Sequence, residues 1–175
     1  MARRALRVAD HVLTLALVGL GAIAIAPILP GVLARLQSVP IRPHAPDWTL
    51  FAALPLQVQV HVSAAIAALA IGCVILALPK GRGPHKALGW SWVAAMTATA
   101  VSSLFITGLN GDFYSFIHLL TGWTLIALPM GIFAIRKSNV AAHRRHMTGI
   151  FIGGLIVAGA LSFIPGRFMF EFVFG

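Results

Sequence analysis

Five runs of apolar residues, separated by short polar or basic connections, organise this chain: His11–Leu36, Pro55–Leu78, Gly89–Leu109, Phe113–Ile135 and Met147–Phe163. Each is close to the roughly 20 residues an α-helix needs to cross a hydrocarbon core. The pattern predicts an all-α integral membrane protein with five transmembrane helices. The first run has the charged start of a signal peptide, but it is longer than such an apolar stretch should be. It is read as a retained helix, with Pro27 and Pro30 expected to kink its far end or finish it early.

Composition agrees. Of 175 residues, 59% are hydrophobic and 10% charged, against roughly a quarter charged in an average soluble domain. The formal charge of +9 does not indicate nucleic acid, because the cations sit in connections rather than along one face. Arg3, Arg4, Arg7, Lys80, Arg82, Lys86, Arg136, Lys137, Arg144 and Arg145 fall on one side of the predicted membrane. Arg35, Arg42 and Arg167 fall on the other, with Asp47, Asp112 and Glu171. Basic connections stay cytoplasmic, so the N-terminus is expected inside and the C-terminus periplasmic, in the bacterial inner (plasma) membrane. The single cysteine, Cys73, lies in an apolar run and reads as a small buried hydrophobe.

The organisation divides into residues 1–54, a transmembrane helix plus a connection, and residues 55–175, the remaining helices. Pro40, Pro43 and Pro46 favour an extended path after Gln37, and Trp48–Leu54 reads as an interfacial segment. The links Pro79–Pro84, Asn110–Asp112 and Arg136–Ala142 are tight. Consecutive helices are then antiparallel neighbours, and helices two to five form an up-down four-helix bundle. Small residues such as Ala64, Ala68, Gly72, Gly153 and Gly154 allow close helix approach.

Four histidines carry the candidate chemistry. His61 and His118 each lie about six residues into helices two and four, roughly 9 Å below the outer end at 1.5 Å per residue. Those helices are diagonal in the bundle, so both imidazoles can point at a shared centre. This suits the axial ligands of a haem b. Asp112 is read as the N-cap of helix four, and Gly122 shares a face with His118. His85, one residue after Pro84 at a helix start, and His143, after an N-cap at Asn139, form an inner pair on the other two helices. Ligation competes there with interfacial anchoring among Arg82, Lys86, Arg144 and Arg145. The pairs lie on the order of 25 Å apart, so one haem near the outer face is expected and two are possible. Arg167 is a candidate partner for a haem propionate or a quinone headgroup, against snorkelling or pairing with Glu171. Thr97, Thr99, Ser102 and Ser103 read as hydroxyls bonded to carbonyls or a neighbouring helix. No role is assigned to His146, and His11 and His44 read as solvated.

No CxxCH, HExxH, GxSxG or glycine-rich phosphate loop occurs, which removes covalent c-type haem and several enzyme classes. The helix centres carry no Asp, Glu, Lys or Arg, which disfavours ion-coupled transport. Copper at the outer pair is disfavoured by the lack of Met or Cys beside it.

The motifs Pro84–Trp90 (PHKALGW), Ser115–Trp123 (SFIHLLTGW), Asn139–Met147 (NVAAHRRHM) and Pro165–Gly175 (PGRFMFEFVFG) resemble bacterial membrane proteins grouped as domain of unknown function 2306, from His61 onward. The resemblance implies a four-helix membrane core, and it makes His143 rather than His146 the position that matters. Lys86 stands where arginine is common. The layout is also similar to the ascorbate-dependent cytochrome b family, which implies two bis-histidine haems, although only the arrangement matches. The expected function is electron transfer between a quinol or other membrane donor and an acceptor at the outer face. The alternative is a cofactor-free accessory subunit of a larger respiratory or photosynthetic complex.

Overall fold

The computed structural model describes residues 29–106 and 116–175, which fall into two compact units. The smaller holds the described residues up to His44 together with Ile164–Gly175, and the larger is Ala45–Phe163.

The smaller unit contains α1 (Leu29–Ser38). Its helical turns run from Leu29 through Pro30 to Ser38; the rest of the first apolar run, with Pro27, lies outside the described residues. After Ser38 the chain is extended, and the backbone N–H groups of Arg42 and His44 donate to the carbonyls of Phe174 and Val173 at 3.3 and 3.0 Å. His44 is exposed, while its backbone is tied to Val173.

In the larger unit, α2 (Trp48–Ala52) is a single turn capped by Asp47, whose Oδ1 accepts from Thr49 N at 2.9 Å and Leu50 N at 3.1 Å. Trp48 stands exposed beside it. Helix α3 (Leu56–Ala77) starts at Pro55 and stops before Pro79. Proline disfavours helical backbone in the residue preceding it, and Leu78 is extended accordingly. Helix α4 (Gly83–Ser103) has Pro84 in its first turn and ends earlier than the apolar run suggested. At that end Ser102 Oγ donates to Ala98 O at 2.6 Å and Ser103 Oγ to Ala100 O at 2.8 Å. Such back-bonding competes with the helical ladder. Helix α5 (Phe116–Arg136) carries Pro129 in its interior, while the proposed cap Asp112 lies outside the described residues. Helix α6 (Val140–Ile150) is capped by Asn139, whose side chain accepts from Ala142 N at 3.0 Å. It continues into a π segment (Phe151–Val157) and then α7 (Ala158–Leu161), so the fifth apolar run is not one regular helix. Back in the smaller unit, α8 (Phe168–Phe174) is a short aromatic helix that the sequence reading did not anticipate.

In the larger unit α3 packs mainly on α4, and α5 on α6; α4 meets α5, and the π segment closes against α3 and α5. The result is a four-membered ring in which α3 stands diagonal to α5. Ala68, Trp92, Met96, Ala127, Leu128, Ile150, Phe151 and Leu155 fill its centre. Small residues set the closest approaches. A methyl on Gly72 would stand 2.5 Å from Phe151 Cε2, and one on Gly131 would collide with Met147.

The outside is as apolar as the core. Ile66, Leu69, Leu76, Ile126, Phe133, Ile152 and Ile156 are exposed, a surface that a water-soluble monomer rarely shows. Among the described residues two helical stretches, Leu56–Ala77 and His118–Arg136, are long and apolar enough to span a bilayer. Cys73 joins this outer surface, which corrects its reading as a buried thiol: it sits one residue past Gly72, and only the glycine side of the helix turns inward.

Candidate functional site

The bundle has two chemically distinct ends. At the end bearing Lys80, Arg82, Lys86 and Arg144, α3, α4, α5 and α6 line a half-open cavity of about 320 Å³. His85 and His143 both line it, so the structure brings this predicted pair together. His143 Nδ1 lies 2.9 Å from the Gly131 carbonyl on α5. A carbonyl only accepts, so Nδ1 carries the proton and donates, leaving the Nε2 lone pair available. His85 Nδ1 is buried with no hydrogen-bond partner, and so is Trp92 Nε1. Leaving a buried donor unsatisfied costs about 1–3 kcal/mol, so each such atom calls for an explanation.

Local electrostatics favour neutral imidazoles here. Burial, then His143 and Lys80, push the His85 pKa below the ordinary histidine value. Burial, then Arg145 and His143, do the same for His146. Lys80 itself is occupied, because its Nζ donates to the carbonyls of Ile75, Leu76 and Leu78 at 2.6–2.9 Å and so caps α3.

At the opposite end hydroxyls dominate. His61 Nδ1 donates to the Thr99 carbonyl on α4 at 2.9 Å, with Ser102 Oγ 3.4 Å away. Ser103 Oγ and Thr121 Oγ1 meet at 2.7 Å between α4 and α5. Thr97 and Thr99 bond back to Val93 and Ala95, as expected for hydroxyls in an apolar helix. His118 is half-buried and its Nε2 is closed off from solvent. His61 and Thr121 reach neighbouring turns of α4, and His118 precedes Thr121 by three residues. The two imidazoles therefore differ in depth by about two turns, roughly 10 Å, rather than sharing one height. Gly122, on the His118 face, has open space where a methyl would go.

Residues 58–173 match the family model described as "Predicted membrane protein (DUF2306)". The chain belongs to this family. No curated protein and no solved structure matches it. Family membership and the apolar outer surface together make the lipid bilayer the environment of this DUF2306 protein.

Arg167, Glu171, Asn110 and Tyr114, also singled out in the sequence of the DUF2306 chain, lie outside the described part of the larger unit. Arg167 belongs to the smaller unit and forms the N-cap of α8. Glu171, its suggested partner, accepts from Gly166 N at 3.1 Å. Asn110 and Tyr114 lie outside the described residues. Among the described residues no group of three or more His, Cys, Asp or Glu could hold a metal ion, so metal chemistry here would rest on histidine pairs. Trp92 was overlooked in the sequence because it reads as one more aromatic near a helix end. Its position seven residues after His85, two turns deeper on a similar face, was the available signal.

Proposed function

We propose that this protein is a small b-type cytochrome of the bacterial inner membrane. In this reading the chain crosses the bilayer five times, with its N-terminus cytoplasmic and the basic end of the bundle inside. His61 and His118, on the diagonal helices α3 and α5, hold one haem b near the outer face. The observation that carries the proposal is the bond from His61 Nδ1 to the Thr99 carbonyl. Metal-ligating histidines characteristically donate their second ring nitrogen to a carbonyl or carboxylate, which fixes the tautomer and aims the other nitrogen. Gly122 leaves room beside His118.

Bound iron supplies one-electron chemistry. The chain's own share is different: Thr99 orients an imidazole, and apolar helices exclude water. Electrons pass from a membrane donor to an acceptor at the outer face. A second haem on His85 and His143 would need space for a macrocycle. Their cavity, at about 320 Å³, is at the small end of ligand pockets, so this pair is assigned to a smaller ligand. Purified full-length protein is expected to show a reducible Soret and α-band spectrum. Colourless protein that takes up no added haem would refute the reading.

One observation favours the accessory-subunit alternative. Gly149 and Gly159 meet nothing within 4 Å, and Ile152 and Ile156 stand exposed between them, a face suited to a partner helix. Protein that stays colourless and migrates only with a larger assembly would favour that role.

A further inference from the structure

The cavity at the basic end is apolar but not featureless. Ile75, Val93, Ile132 and Met147 form walls, with Phe151 and Trp92 as flat aromatic surfaces. Gly72 lets the aromatic rings close in at its deep end: a methyl there would stand 2.5 Å from Phe151 Cε2 and 3.0 Å from Trp92 Nε1. The indole nitrogen of Trp92 therefore lies close beside Gly72, at the deep end of the lining. Trp92 is only 5% exposed, and its Nε1 has no partner. Indole nitrogen can only donate, so the occupant must bring an acceptor to this point. His85 Nδ1 is buried and equally unpartnered, about 10 Å nearer the surface along α4 at 1.5 Å per residue. His143, held by Gly131, faces the same volume.

These features define the occupant. It is a flat, mainly apolar ring small enough for about 320 Å³, with oxygens towards opposite edges. One oxygen accepts from Trp92. Another meets an imidazole, which donates to a carbonyl in one tautomer and accepts from a hydroxyl in the other. Few cations line the walls, Lys86 being the one among the lining residues, so a phosphate-bearing headgroup is poorly served. A ring whose oxygens alternate between keto and hydroxyl, carrying an apolar tail into the bilayer, satisfies every group.

We propose that this cavity binds the headgroup of a lipid quinone or quinol, with Trp92 Nε1 donating to one ring oxygen and His85 or His143 bonding the other. The site rests on the cytochrome reading for its purpose, since it names the donor's chemical class, but it stands on different residues. Trp92 lies seven residues, or about 10 Å, from Thr99, whose carbonyl holds His61, and buried Met96 lies between them.

Quinone-free full-length protein in lipid nanodiscs, titrated with a short-tailed ubiquinone, tests this directly. Bound quinone is read after gel filtration, which also reports whether each variant is folded. Saturable binding of one quinone per chain is expected. Trp92→Phe keeps the ring but loses the donor and should weaken binding about tenfold. Gly72→Ala should occlude the site, and His85→Gln, at the rim, should weaken binding without threatening the fold. His61→Ala, expected to lose haem, should bind quinone as the wild type does, so failure of the haem reading and failure of this one are distinguishable. Absence of saturable binding by folded wild-type protein would overturn the proposal. So would equal binding by wild type, Trp92→Phe and His85→Gln, or an acidic phospholipid found in the cavity in place of quinone.

Discussion

The two ends of the bundle use the same residue type in opposite ways. At the hydroxyl-rich end, His61 is tied to Thr99, and Ser103 is bridged to Thr121 across a helix boundary. At the basic end, His143 is tied to Gly131, but His85 Nδ1 and Trp92 Nε1 are buried without partners around an open cavity. Interhelical bonds such as those of His61 and Ser103 hold side chains in place and can fix a ligand's geometry. An end with open donors and free volume is suited to a ligand that comes and goes. Matching positions in the sequence thus become different chemistry through their neighbours: hydroxyls on α4 at one end, glycines and aromatic rings at the other.

Three perturbations should sharpen this contrast. The largest effect is expected from Gly131→Leu. Gly131 faces Met147 and His146 across the α5–α6 contact, and its carbonyl orients His143. Overpacking there should cost about 1–3 kcal/mol, read as a lower melting temperature, and should disturb the basic end while leaving the His61 end intact. Next, Ser103→Ala removes one partner of the Ser103–Thr121 bridge. Interhelical hydrogen bonds of this kind average about 0.6 kcal/mol in membranes, so a small destabilisation is expected, confined to the other end. The smallest effect is a pH response. The His85 pKa is lowered in the folded state from its ordinary 6.5, so the unfolded chain binds the proton more readily. Stability is then unaffected above pH 6.5 and declines as pH falls below it. His85→Gln should flatten that decline in a thermal-melt series.

Much of this architecture is legible in the sequence wherever local chemistry decides. Pro55 and Pro79 bracket α3, Pro84 opens α4 and Asn139 caps α6, each through a backbone constraint that one residue imposes. Tight connections similarly imply the up-down order of the ring. What depends on packing was not legible. The π segment has no periodic signature, and the short aromatic helix α8 looks like a tail. Cys73 was misjudged because an apolar run does not reveal which face turns inward. The same limit hid the cavity. His85 and His143 read as headgroup-level residues, whereas the cavity they share is lined as well by Gly72, Phe151 and Trp92, residues far apart in the chain. The register of His61 and His118 could be counted from helix starts, but the two-turn offset appears only through the contacts of α4.

The central claim is that the His61 end, not the basic end, holds iron. It is tested most directly by the reduced-minus-oxidised absorption spectrum of the purified protein beside two double variants. His61→Ala with His118→Ala should abolish the haem bands, while His85→Ala with His143→Ala should retain them. Bands that survive the first pair and vanish with the second would contradict the account.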